Sequence, residues 1–123
     1  MMLKKGENKS ICYGLSQKEA DCQCKHESCR MTLIDEKLVV SYEKFRRLVD
    51  LPLKVLSFYR CPRHNDGVGA PLSQHQRGYA IDIALPNLLE KYTYEEIETM
   101  ALQCGFTWIK IYKEKSFIHL DVR

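Results

Sequence analysis

Helical periodicity along the chain is clearest from Asp35 onward. Leu38, Tyr42, Phe45 and Val49 recur at helix spacing, while Glu36, Lys37, Glu43, Lys44 and Arg47 fall outside that stripe, which is the pattern of a helix with one buried face. Pro52 ends the helix, because a proline pushes the residue before it out of the helical region. Leu53 to Phe58 is apolar enough to predict a strand. From Arg60 to Gly78 the pattern is broken by Pro62, Gly67, Gly69, Pro71 and Gly78. Loops of that length inside a small domain are usually functional or disordered. Ala80 to Leu85 alternates, with Ile81, Ile83 and Leu85 on one face and Ala80, Asp82 and Ala84 on the other, as a strand requires. Pro86 closes it. Thr93 and Glu96 form the capping-box signature of a second helix. Its buried stripe is Ile97, Met100, Ala101 and Cys104, and Gly105 stops it. Phe106 to Tyr112 and Phe117 to Val122 alternate on either side of the polar Lys113 to Ser116 and predict a closing hairpin.

The predicted order is helix, strand, long loop, strand, helix, hairpin. Strands and helices do not alternate strictly, so an α+β domain is expected, its sheet mainly antiparallel and its helices packed on one face. Residues 1–20 are polar with weak periodicity and read as an N-terminal arm; residues 21–123 read as the single domain. A chain of 123 residues has room for one such core and little more.

Composition narrows the function classes. The formal net charge is +3, and the basic residues are scattered (Lys4, Lys5, Arg46, Arg47, Lys110, Lys113, Lys115) instead of gathered on one stripe, so no nucleic-acid partner is expected. No segment is apolar and long enough to span a bilayer, so no membrane partner is expected either. Met1 to Ser10 carries Lys4, Lys5 and Lys9 with no apolar run behind them, unlike a secretory signal. Synthesis in the cytoplasm as a monomer is the expectation.

The chain has six cysteines, and without an export signal they are expected to be reduced thiols. Cys104 fits a helix core position. Cys22, Cys24, His26 and Cys29 have metal-compatible side chains but lack the paired spacing of a zinc knuckle, leaving a loop of thiols as the first reading and a second metal as the alternative.

The stretch richest in chemistry is Ser73-Gln74-His75-Gln76-Arg77-Gly78-Tyr79-Ala80-Ile81-Asp82. Asp82 stands mid-strand among apolar neighbours, where a carboxylate costs several kcal/mol unless it is paired or binds a metal. In the last strand, His119 and Asp121 project to the same side. Two imidazoles and a carboxylate (His75, Asp82, His119) make a catalytic zinc set, three protein ligands with the fourth position open to water. Iron or manganese would suit the same donors. On spacing alone, two histidines and an aspartate are more often unrelated polar residues. His64 reads as a loop-fixing residue, Trp108 and Tyr112 as core and rim. Gly67 and Gly69 have no helix pattern behind them to make a phosphate cradle.

The run Ser73, His75, Gly78, Ala80, Asp82 resembles the Ser-x-His-x-x-Gly-x-Ala-x-Asp signature of the zinc D-alanyl-D-alanine carboxypeptidases. That family includes L-alanyl-D-glutamate endopeptidases, and the Hedgehog signalling domain shares its fold. Ser57 to Asn65, Gly105 to Tyr112 and Phe117 to Arg123 resemble further segments of its small phage and bacterial members, so the likeness covers residues 20 to 123. The resemblance implies a Hedgehog-like zinc fold with His75, Asp82 and His119 as zinc ligands. It implies Arg60 as the cation steadying the substrate carbonyl or its developing oxyanion, and Ser73 as a substrate-binding hydroxyl. The equivalents in this sequence have a structural salt bridge and a loop cap as alternative roles. Many members carry an acid three residues before the last histidine as general base; here that residue is Ser116. Asp121 is the first candidate to replace it and Glu114 the second, though Asp121 could instead orient His119. Phe58 stands where a glycine is usual.

The activity so implied is hydrolysis of amide bonds in peptidoglycan stem peptides, as carboxypeptidase or endopeptidase, with zinc as cofactor and the bacterial cell wall as the place of action. A phage lysin fits that combination, with a cytoplasmic dipeptidase as the in-class rival. A binding module with a vestigial zinc site, such as a phage structural component, is the alternative from another class. A nucleic-acid binder built on the cysteine cluster is a third, and would show steeply salt-dependent DNA binding.

Overall fold

The computed structural model describes residues 2–7, 9–22, 29–59, 75 and 78–123. Its first long element is helix α2 (Glu36–Val49), which follows from the stripe that the sequence lays down. Leu38, Tyr42, Phe45 and Val49 are all fully buried. Asp35 caps the helix by accepting a hydrogen bond from the Leu38 amide at 3.1 Å. The helix stops at Val49 because Asp50 turns left-handed, with φ of 53°, before Pro52 is reached. Helix α4 (Tyr94–Gln103) opens on the capping box of Thr93 and Glu96 and buries Ile97 and Ala101, with Cys104 also inside and Met100 only partly so.

Four strands make the main sheet: β5 (Val55–Ser57), β6 (Ala80–Ala84), β7 (Trp108–Tyr112) and β8 (Phe117–Asp121), in the order β5-β6-β8-β7, antiparallel throughout. β5 is shorter than the apolar run around it, because a register shift between Val55 and Ser57 breaks the ladder to β6. The expected hairpin is β7 and β8. Cα pairing puts Ile83 beside Ile118 beside Ile111, and Ile81 beside Leu120 beside Ile109. Paired residues share a face, so this is the core face. Ile81, Ile83, Ile118 and Leu120 are fully buried in one cluster with the inner residues of α2 and α4, and Phe45 meets Phe106 edge-on at 6.1 Å. The α+β fold with an antiparallel sheet is as expected.

The leading residues carry more structure than their polar composition predicts. β1 (Met2–Lys4) pairs with β4 (Met31–Leu33), and β2 (Ser10–Cys12) with β3 (Leu15–Ser16). One-turn α1 (Gln17–Ala20) is tied to the main sheet where the Tyr59 amide donates to the Ala20 carbonyl at 3.2 Å. Strands of two or three residues are too short to leave a readable period. A second short helix, α3 (Pro86–Leu89), follows β6 with its proline in the first turn, the one place in a helix where proline costs no hydrogen bond. No helix among the described residues is long and apolar enough to cross a membrane.

Candidate metal centre

The opposite face of the main sheet is built differently. The same register sets Ala80, Asp121 and Trp108 side by side, then Asp82, His119 and Lys110, then Ala84, Phe117 and Tyr112. Small Ala80 and Ala84 flank Asp82 on β6, which leaves room above the carboxylate. His75 comes from the segment before β6 and is almost wholly buried. Gly78 brings that segment back to the sheet. Its φ is +70°, and a Cβ there would lie 2.2 Å from the Leu33 carbonyl oxygen, so only glycine lets the chain pass so close to β4.

Asp82 holds the two histidines together. Its Oδ2 is 3.3 Å from Nε2 of His75 and its Oδ1 is 2.9 Å from Nδ1 of His119. The rings meet edge-on with centroids 5.2 Å apart. Nδ1 of His75 donates to the Phe58 carbonyl at 2.6 Å. A carbonyl can only accept, so on the neutral ring Nε2 carries a lone pair toward Asp82. A lone pair aimed at a carboxylate is repulsive unless a cation lies between them. His119 is held from its far side: Nε2 lies 2.9 Å from Oδ2 of Asp121. With that nitrogen donating to Asp121, Nδ1 is the one left to ligate. One donor atom from each of His75, Asp82 and His119 lies within 4.8 Å of the others. Nitrogen, nitrogen and oxygen at that separation suit zinc.

In the metal-free protein the same contacts move proton affinities. Burial pushes the Asp82 carboxyl up, but the hydrogen bond with His119 and the two imidazoles beside it outweigh this and bring the group down to about 2. Burial lowers His119, and its bonds to Asp82 and Asp121 more than reverse this, leaving it raised. Asp121 is lowered: burial opposes ionisation, while hydrogen bonds from Arg123 and His119 favour it.

Asp121 is itself clamped. Its side chain is 0% exposed, and Arg123 reaches it with Nη2 at 2.7 Å and Nε at 3.1 Å. Arg123 lies over the Trp108 ring at 4.6 Å. Trp108, expected in the core, is 47% exposed, because strand parity puts it on the metal side of β7. Glu114 sits exposed at the hairpin tip, and Ser116 is the left-handed turn residue with φ of 57°. Arg60, Ser73, His64, Gly67, Gly69, Cys24 and His26 lie outside the described residues. The Arg123 clamp and the Phe58 carbonyl were not read from sequence. Arg123 had a signal, since residues 119, 121 and 123 share strand parity; a backbone carbonyl leaves none.

A family model described as Peptidase M15 matches residues 14–121. The chain belongs to the peptidase M15 family. This family is zinc-dependent and its members are metallopeptidases of the D-alanyl-D-alanine carboxypeptidase type, which agrees with the resemblance in the sequence and with the donor set of His75, Asp82 and His119. No curated protein and no solved structure matches the chain. Within this M15 member, the sheet register sets Asp82 beside His119, and the segment ahead of β6 brings His75 to them as a group that could hold a metal ion.

Proposed function

We propose that the protein is a zinc peptidase that hydrolyses an amide bond of a peptidoglycan stem peptide, acting as a monomer at the bacterial cell wall. The observation that carries the reading is the His75, Asp82, His119 donor set in a chain of the M15 family. When bound, zinc would supply Lewis acidity and ionise water near neutral pH. The chain's own residues do the rest. Phe58 and Asp121 hold the two imidazoles in the tautomers that ligate. In the role the resemblance implies, Arg60 offers a fixed cation where negative charge grows on the substrate carbonyl, and Ser73 a hydroxyl to its backbone. Asp121 is better suited to positioning His119 than to moving protons, because His119 and Arg123 already occupy its oxygens.

That assignment also gives the second reading its support. Many relatives carry an acid where this chain has Ser116, and Asp121 is engaged, so a binding module that holds zinc without turnover is the alternative. The test is to measure zinc by elemental analysis and amine release from muropeptides. The wild type should carry about one zinc per chain and release amine, and His75→Ala and Asp82→Asn should lose both while keeping their far-ultraviolet dichroism. Zinc without amine release from either carboxypeptidase or endopeptidase substrates would favour the binding module. A wild type that takes up no zinc would end both readings.

A further inference from the structure

The row Asp82, His119, Lys110 continues past the metal ligands to the edge strand β7. Lys110 is exposed and stands on the metal face one strand spacing, about 5 Å, from His119. Its Nζ rests over the Tyr112 ring at 5.0 Å, and Tyr112 stacks on Phe117 at 4.5 Å with the rings 17° from parallel. The ammonium is thus set over one ring of a stacked aromatic pair on this face. The other cation here, Arg123, is spent on Asp121. Among the described residues, no carboxylate lies in ion-pair contact with Lys110. A lysine on an edge strand can serve merely to discourage edge-to-edge pairing. That role needs no particular face, whereas this side chain stands beside the metal ligands.

We propose that Lys110 is the carboxylate-binding residue of a substrate subsite on the β7 side of the metal centre, with Tyr112 and Phe117 as its floor. The preferred peptide then carries an anionic group within one or two strand spacings of the bond to be cut, roughly 5–10 Å. This rests on the peptidase reading and names what that site selects. The anion is either the C-terminal carboxylate of the peptide or a carboxylate within it.

The experiment uses zinc-loaded full-length protein and a synthetic stem pentapeptide ending in D-alanyl-D-alanine. The peptide is prepared in three forms: free, amidated at its C-terminus, and amidated at its internal glutamate carboxylate. Binding is followed by calorimetry, with the emission of Trp108, the single tryptophan, as a second readout. The wild type should bind the free form about tenfold more tightly than one of the amides, and that amide identifies the carboxylate. Lys110→Ala should bring the free form down to the affinity of that amide, Lys110→Arg should restore the preference, and Lys110→Glu should reverse it, all with zinc content unchanged. A wild type that binds all three forms equally or none, or a Lys110→Ala variant that keeps the preference, overturns the subsite. Binding preference without hydrolysis leaves the subsite standing and removes the peptidase reading. Hydrolysis with no Lys110-dependent preference does the reverse.

Discussion

Each histidine of the candidate centre is aimed by a group outside the donor set. For His75 that group is a main-chain oxygen, whose place depends only on how β5 ends. For His119 it is a carboxylate that must in turn be held, and Arg123 holds it through its guanidinium and its amide, the latter at 3.2 Å. Partners of metal-binding histidines typically contribute 10–100-fold to metal affinity. Replacing Arg123 with Ala should therefore weaken zinc binding by about tenfold without removing a ligand, as read by competition with a chromophoric chelator. If zinc affinity is unchanged in that variant, Asp121 keeps its orientation without help from Arg123. A loss should be recovered in part by Arg123→Lys, which restores charge but not the paired geometry.

At the level of elements, the site depends on the return of the chain to the sheet just ahead of β6. The Gly78 carbonyl accepts from the Asp35 amide at 3.2 Å, and its own amide donates to the His75 carbonyl at 3.3 Å. Gly78 therefore links the His75 segment to the corner between β4 and α2, and this is the physical sense of a glycine three residues after a ligand. Alanine at this position meets both a left-handed φ and the Leu33 backbone. Gly78→Ala should cost roughly 2 kcal/mol or more, lowering the thermal midpoint by about 8 °C and weakening zinc binding as His75 shifts. Scanning calorimetry with and without zinc would check this. A midpoint within a degree of wild type would mean that the segment can pass β4 by another route.

For the molecule as a whole, the centre sets how stability responds to pH. In the metal-free protein Asp82 falls from 3.8 to about 2, so its contribution is present above 3.8 and is lost as the pH drops toward 2. His119 is raised from 6.5, so its contribution is complete below 6.5 and is lost as the pH climbs through the raised value. Metal binding has the opposite slope, because protons compete for the imidazoles. With a chelator present, the stability maximum should lie between about 4 and 6.5. With saturating zinc it should move to higher pH, and the two curves should separate most above neutrality. Thermal midpoints across pH 3–9 in both conditions, roughly at unit steps, are the measurement. Superimposable curves would mean that the centre does not bind zinc.

The local pattern was enough to place α2, α4, β6 and the closing hairpin. Amphipathic periods and capping residues act over a few neighbours and need nothing distant to be read. It was also enough to mark Asp82 as a carboxylate that needs a partner wherever its strand ends up, whereas His75 and His119 stood out as its partners only through the resemblance of the motif around them. Pairing is a different matter. Period two says which side of its own strand a residue faces but not which strand lies beside it. The meeting of Asp82 with His119, the engagement of Asp121 by Arg123, the exposure of Trp108 and the placing of Lys110 beside the ligands all follow from the register of β6, β8 and β7. The short pairs β1–β4 and β2–β3 were hidden for the related reason that two or three residues carry no period, and they form because the core supplies the surface on which they lie.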